Sequence, residues 1–157
     1  MRALQIPKVS EVMTQKVFAV GPDTSLETAA RLFAQKHVSG APVVNAAGEV
    51  VGVVSASDLI DPDRDRGAVI GNAHYYSLEN GHALEFGDPT VGRDGTVREV
   101  MTPNVLRIGP EQSIVEAGRM MVSQAVHRLL VTDDKHVLVG IVSVMDLVRG
   151  FVQTDAG

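Results

Sequence analysis

Gly140-Ile141-Val142-Ser143-Val144-Met145-Asp146-Leu147 has a second version earlier in the chain, Gly52-Val53-Val54-Ser55-Ala56-Ser57-Asp58-Leu59. Each version reads as the end of an apolar strand, a tight turn and the first turn of a helix. The polar spacing is the same in both: a glycine, a hydroxyl three residues on, and a carboxylate three after that. A strand ending in Ser-x-x-Asp at a helix start is a place where a small anionic or polyhydroxyl ligand can be held. The same spacing is also a miniature capping box, in which serine and aspartate serve only the helix. Spacing alone leaves both readings open.

The surrounding sequence repeats in the same register. Val9-Ser10-Glu11-Val12-Met13-Thr14 returns as Val97-Arg98-Glu99-Val100-Met101-Thr102, an offset of 88 residues. That offset also carries Gly21-Pro22 to Gly109-Pro110, Ser25 to Ser113, Arg31 to Arg119, Gly52 to Gly140 and Asp58 to Asp146. No gap is needed across 9–60 and 97–148, a register too long for chance. The organisation is a first repeat at 9–60, an insert at 61–96 and a second repeat at 97–150.

Each repeat reads β-α-β-β-α, which makes the class α/β (α+β). In the first, Val17–Val20 is a strand ended by Gly21-Pro22-Asp23. Thr24 is expected to cap a helix with Glu27 as its capping-box partner. Leu26, Ala29, Ala30 and Phe33 form that helix's apolar face. Ala41–Val44 and Glu49–Val54 are strands joined by Asn45-Ala46-Ala47-Gly48, and Ser55 starts the closing helix. In the second, Ser113 and Glu116 form the capping box, and Ile114, Ala117 and Met121 form the apolar face. Arg128–Thr132 and Val137–Val142 are strands. The last helix runs over Val144–Phe151, with Gln153–Gly157 as a frayed tail.

A chain of 157 residues with 45% apolar and only 4% aromatic side chains has room for a sizeable aliphatic core. The net charge of −5 argues against a nucleic-acid partner, which usually meets a basic face. Without cysteine there is no disulfide framework and no thiolate metal site. The residues after Met1 do not read as a signal peptide, and no apolar run approaches the ~18 residues of a membrane span. The expectation is a soluble cytoplasmic protein with no membrane partner. The insert opens on charged Asp61-Pro62-Asp63-Arg64-Asp65-Arg66-Gly67, then holds His74, Tyr75, Tyr76 and His82 among several glycines. It is either ordered against the body or a partner chain, or a loop.

Two ungapped repeats, each opening on Val-x-Glu-Val-Met-Thr and closing on Gly-x-x-Ser-x-x-Asp-Leu, resemble a tandem pair of cystathionine β-synthase (CBS) domains, or Bateman module. Val126-His127-Arg128-Leu129-Leu130-Val131, followed by Gly140-Ile141-Val142-Ser143, is similar to the repeats of the gamma subunit of AMP-activated protein kinase. The resemblance implies two repeats related by a pseudo-two-fold axis, with two clefts and a tendency to form a homodimer. It implies an adenine nucleotide ligand (AMP, ADP or ATP), with S-adenosylmethionine as a rarer one. It also implies a regulatory, non-catalytic role toward an effector protein that the sequence does not identify.

By that resemblance Ser55 and Asp58, and Ser143 and Asp146, hold ribose hydroxyls, a task for which a carboxylate has the acceptors. His127 and Arg128 reach the phosphate belonging to the Asp58 site. The first repeat has Ser39 and Gly40 at the matching positions, so the two sites are expected to be unequal. Val54, Val142, Ala41 and Pro42 are candidate walls for the base, or else core. The plain alternative for Arg128 is a surface ion pair with Asp133 or Asp134. His74, His82, Glu79, Glu85 and Asp88 match no metal spacing, so no metal is expected. No Gly-x-Ser-x-Gly or P-loop sequence points to an enzyme. A dimerisation module without nucleotide is the alternative function.

Overall fold

Val9 and Val97 begin the two copies of Val-x-Glu-Val-Met-Thr, and both are fully buried, but neither in the core of its own repeat. The computed structural model describes residues 5–60 and 95–155, so the expectations for His74, Tyr75, Tyr76, His82 and the rest of 61–94 lie outside the described residues. Val97 packs with Leu26, Ala29, Phe33, Val43 and Val54 of the first repeat. Val9 packs with Ile108, Ile114, Ala117, Leu129 and Val142 of the second. The described chain therefore forms two compact units whose opening segments are exchanged. The first unit is 18–46, 51–60 and 95–104; the second is 5–17, 47–50 and 105–155.

The exchange follows from backbone chemistry. The opening segments are single-turn helices, α1 (Val9–Val12) and α4 (Val97–Val100), too short to stand alone. A helix start leaves N–H groups without partners. Here Val97 and Arg98 donate theirs to the carbonyls of Thr24 and Pro22, both at 2.9 Å. Val9 and Ser10 donate theirs to Gln112 and Pro110, at 2.8 and 3.0 Å. The motif glutamates serve the same ends: Glu11 accepts the Lys8 N–H at 2.6 Å, and Glu99 accepts that of Thr96 at 3.3 Å.

The Met-Thr that ends each segment explains the motif glycine. Thr102 and Val53 exchange backbone hydrogen bonds of 2.8 and 2.9 Å, as do Thr14 and Ile141, both at 2.9 Å. A Cβ on Gly52 would lie 2.7 Å from Met101 Sδ and 2.9 Å from the Thr102 carbonyl. A Cβ on Gly140 would meet Met13 Sδ and the Thr14 carbonyl at the same two distances. The two motifs recognised in the sequence are thus the two faces of one contact, made once in each unit.

In the first unit α2 (Leu26–Lys36) buries Leu26, Ala29, Ala30 and Phe33, as its periodicity indicates. Its cap is Ser25, not Thr24: Ser25 Oγ accepts the Thr28 N–H at 3.1 Å, and no box forms with Glu27, which lies 3.6 Å from Arg31. The repeat offset already pairs Ser25 with the cap Ser113. β1 (Gly40–Val44) and β2 (Val50–Ser55) pair, and α3 (Ala56–Ile60) follows directly. The expected strand at 17–20 reduces to a single parallel bridge, Val20 to Val43. Pro42, standing where the second repeat has Leu130, has no N–H to lengthen that ladder.

In the second unit the corresponding strand forms as β3 (Arg107–Ile108), parallel to β4 (Arg128–Thr132), which is antiparallel to β5 (Leu138–Ser143). α5 (Ile114–Gln124) has the expected box of Ser113 and Glu116 and buries Ile114, Ala117 and Met121. α6 (Val144–Asp155) runs past the predicted end at Phe151, so Gln153 to Asp155 are helical rather than frayed. Near that end Thr154 Oγ1 bonds the Gly150 carbonyl at 2.8 Å.

Candidate functional site

In each unit the strand–helix junction is held by three bonds, two of them between residues three apart in the motif itself. β2 ends at Ser55, whose N–H donates to Asp58 Oδ2 at 2.8 Å, while Ser55 Oγ accepts the Asp58 N–H at 3.3 Å. β5 ends at Ser143, whose N–H donates to Asp146 Oδ2 at 2.8 Å, while Ser143 Oγ accepts the Asp146 N–H at 3.2 Å. The first helical residue is tied to the residue just ahead of the neighbouring strand: Ala56 N–H donates to the Ser39 carbonyl (2.8 Å), before β1, and Val144 N–H to that of His127 (3.0 Å), before β4. The capping role of Ser-x-x-Asp is thus realised in both repeats. It does not exclude a ligand, because a carboxylate has more acceptor sites than a cap uses.

The two carboxylates differ in what remains. Asp58 is half-buried, and its Oδ2 also takes the Ser55 hydroxyl at 2.8 Å; its Oδ1 has no partner among the described residues. Ser57 Oγ lies 3.4 Å from Ser55 Oγ, which adds a second hydroxyl to that junction. Asp146 is buried at 5% exposure, and its Oδ1 accepts Arg149 Nη1 at 3.3 Å. The sequence reading missed Arg149, although opposite charges three apart on a helix are a local signal. The position 88 residues before it is Asp61, so the copies differ in sign there.

His127 and Arg128 are exposed at the start of β4, where Arg128 is the register partner of Ser143. The structure thus brings His127 and Arg128 beside the motif of their own unit. Arg128 makes no ion pair among the described residues. Asp133, one of its two suggested partners, accepts the N–H groups of Lys135 (2.9 Å) and Val137 (3.0 Å) and so organises the β4–β5 turn. Among the described residues Arg128 pairs with neither Asp133 nor Asp134, the partners its plain alternative named. Ser39 and Gly40, the counterparts in the first unit, are exposed and uncharged.

The candidate base walls are core residues. Val54, Ala41 and Pro42 are buried in the first unit, the first two within its apolar cluster, and Val142 is buried in the second. Among the described residues no group of three His, Asp or Glu is placed to hold a metal. His74, His82, Glu79, Glu85 and Asp88 lie outside them. No helix among the described residues is long and apolar enough to cross a membrane.

Comparison with known proteins supplies the frame for this geometry. The CBS domain family matches residues 9–63 and 97–153. The uncharacterized protein MJ1426 of Methanocaldococcus jannaschii is 32% identical over 157 aligned residues, covering 94% of this chain and 93% of that protein. The human 5'-AMP-activated protein kinase subunit gamma-3 is 31% identical over 130 residues, 83% of this chain. The chain spans only 23% of that subunit, and 38% of a second Methanocaldococcus relative. Among solved structures, CBSX2 in complex with AMP superposes with a TM-score of 0.67 at 28% identity, over 94% of this chain and 98% of that one.

Proposed function

The chain belongs to the CBS domain family as a tandem pair, and from that premise we propose that it is a regulatory, non-catalytic module that binds an adenine nucleotide: AMP, ADP or ATP. The observation that carries this reading is the Asp58 carboxylate. It has one oxygen unengaged among the described residues, the Ser55 hydroxyl on the other, and the Ser57 hydroxyl 3.4 Å from that of Ser55. A ribose diol offers two adjacent donors that such a group accepts. A solved relative that holds AMP supports the ligand class.

Ser55 and Asp58 are assigned to a ribose, and His127 and Arg128 to a phosphate, for which a guanidinium that makes no ion pair among the described residues is suited. Ser143 and Asp146 are assigned to a second ribose. Val54, Val142, Ala41 and Pro42 bound the base only through their backbone, since their side chains are buried. Ligand would act by shifting the population of conformations that an effector protein reads.

A thermal-shift and calorimetric titration with AMP, ADP, ATP and S-adenosylmethionine tests this. At 100 times its dissociation constant a nucleotide adds about 2.7 kcal/mol of stability. Asp58→Ala should lose the tighter part of that response, leaving only weaker binding at the Asp146 site, while the free protein loses only about 1 kcal/mol, the usual worth of a cap. Arg128→Ala should weaken AMP about tenfold or more, the loss of one charge-assisted contact. Affinity within twofold of the wild type would remove Arg128 from the site. No response to any nucleotide would leave a dimerisation module as the function.

One observation favours that second role alongside the first. Val144, Met145, Val148, Phe151 and Val152 are all exposed on α6 and recur at helical spacing. Homodimerisation is the natural use of such a stripe, because closed two-fold dimers are the commonest oligomers. Sedimentation equilibrium should give twice the chain mass, and a monomer at micromolar concentration would remove this role.

A further inference from the structure

Asp146 is a motif carboxylate whose two oxygens are both engaged within the chain. Oδ2 accepts the Ser143 N–H and Oδ1 accepts Arg149 Nη1, with the carboxylate side chain 7% exposed and the arginine 64%. Asp58 has the same backbone partner but no cation among the described residues, and the repeat offset replaces Arg149 by Asp61. An arginine on Oδ1 of a buried carboxylate takes one of the lone pairs that a vicinal diol would use and stands where the diol would approach. Its own head is solvated, so it can leave without itself being buried.

We infer that Arg149 is an internal competitor for the ligand at Asp146, so that the Asp58 site fills first and the Asp146 site fills only as Arg149 swings away. The inference rests on the ribose reading proposed above and adds an order of filling to it. A protein with two such sites responds over a wider span of nucleotide concentration than one with two equal sites. The exchange involves no bond making: one set of hydrogen bonds to Asp146 Oδ1 replaces another.

Calorimetry with AMP on single-site variants of the full chain tests it. In an Asp58→Ala background, Arg149→Gln should tighten AMP by up to about twofold, as expected for releasing an i,i+3 ion pair. Arg149→Lys, which keeps the charge, should not. In an Asp146→Ala background, Arg149→Gln should change nothing, which separates competition at Asp146 from a general effect on charge or folding. If the wild type binds AMP but Arg149→Gln leaves the Asp146 site unchanged or weaker, Arg149 is not a competitor, and the nucleotide reading stands without it. If neither the wild type nor any variant binds AMP, the nucleotide reading falls and this inference with it.

Discussion

The two units share one framework and differ at its ends. In both, a single-turn helix gives its first N–H groups to the Gly-Pro turn of the other repeat, and a methionine and a threonine carbonyl lie on the motif glycine. The distances repeat to within about a tenth of an ångström. What differs lies where the framework has no say. Pro42 leaves the first unit a bridge where the second has a strand, and Ser25 caps α2 without the glutamate that completes the box at α5. Asp58 keeps an oxygen unengaged among the described residues, while Asp146 gives both. The lesson is that duplication preserved what holds each unit together, and that the copies diverged at positions that cost the fold little.

The largest effect should come from the shared contact. Gly52→Val and Gly140→Val each force a side chain onto a carbonyl oxygen and a methionine sulfur, and each should cost about 3 kcal/mol in urea unfolding, the upper end of the usual overpacking range. Similar losses would sharpen the equivalence of the units; tolerance of one change would break it. Next come the exchanged valines. Val9→Ala and Val97→Ala should each cost about 2 kcal/mol for the methyl groups and the void they leave. Hydrogen exchange tells where the loss falls. Val9→Ala should speed exchange in Leu129–Val131, and Val97→Ala in Val43 and Val54. Faster exchange confined to the mutated residue's own repeat would overturn the crossed packing.

The smallest effect concerns the caps. Ser25→Ala and Ser113→Ala should each cost about 1 kcal/mol. Ser113→Ala should be the milder, because Glu116 still accepts the Ser113 N–H, whereas Ser25 and Thr28 lose both of their bonds. Equal losses would mean that the glutamate half of the box adds nothing.

Much of this was legible in the sequence because it is local. The 88-residue register, the apolar faces of α2 and α5, the box at Ser113 and the junctions at Ser55 and Ser143 all depend on residues a few positions apart. The cap at Ser25 was legible too, through its alignment with Ser113, but the Thr24–Glu27 spacing imitated it. So was Arg149, three residues from Asp146 on one helix.

What the sequence could not decide is which copy packs with which. Val9 and Val97 open nearly identical segments, and Gly52 and Gly140 are nearly identical seats, so either segment suits either glycine chemically. Only the folded structure assigns Met13 to Gly140 and Met101 to Gly52. Likewise only the tertiary packing decides between wall and core for Val54 and Val142, both of which it encloses. The sequence determined the pieces through short-range periodicity and hydrogen-bonding chemistry. The tertiary structure decided their partners, because choosing between two equivalent seats depends on how the chain reaches them, and no local pattern records that.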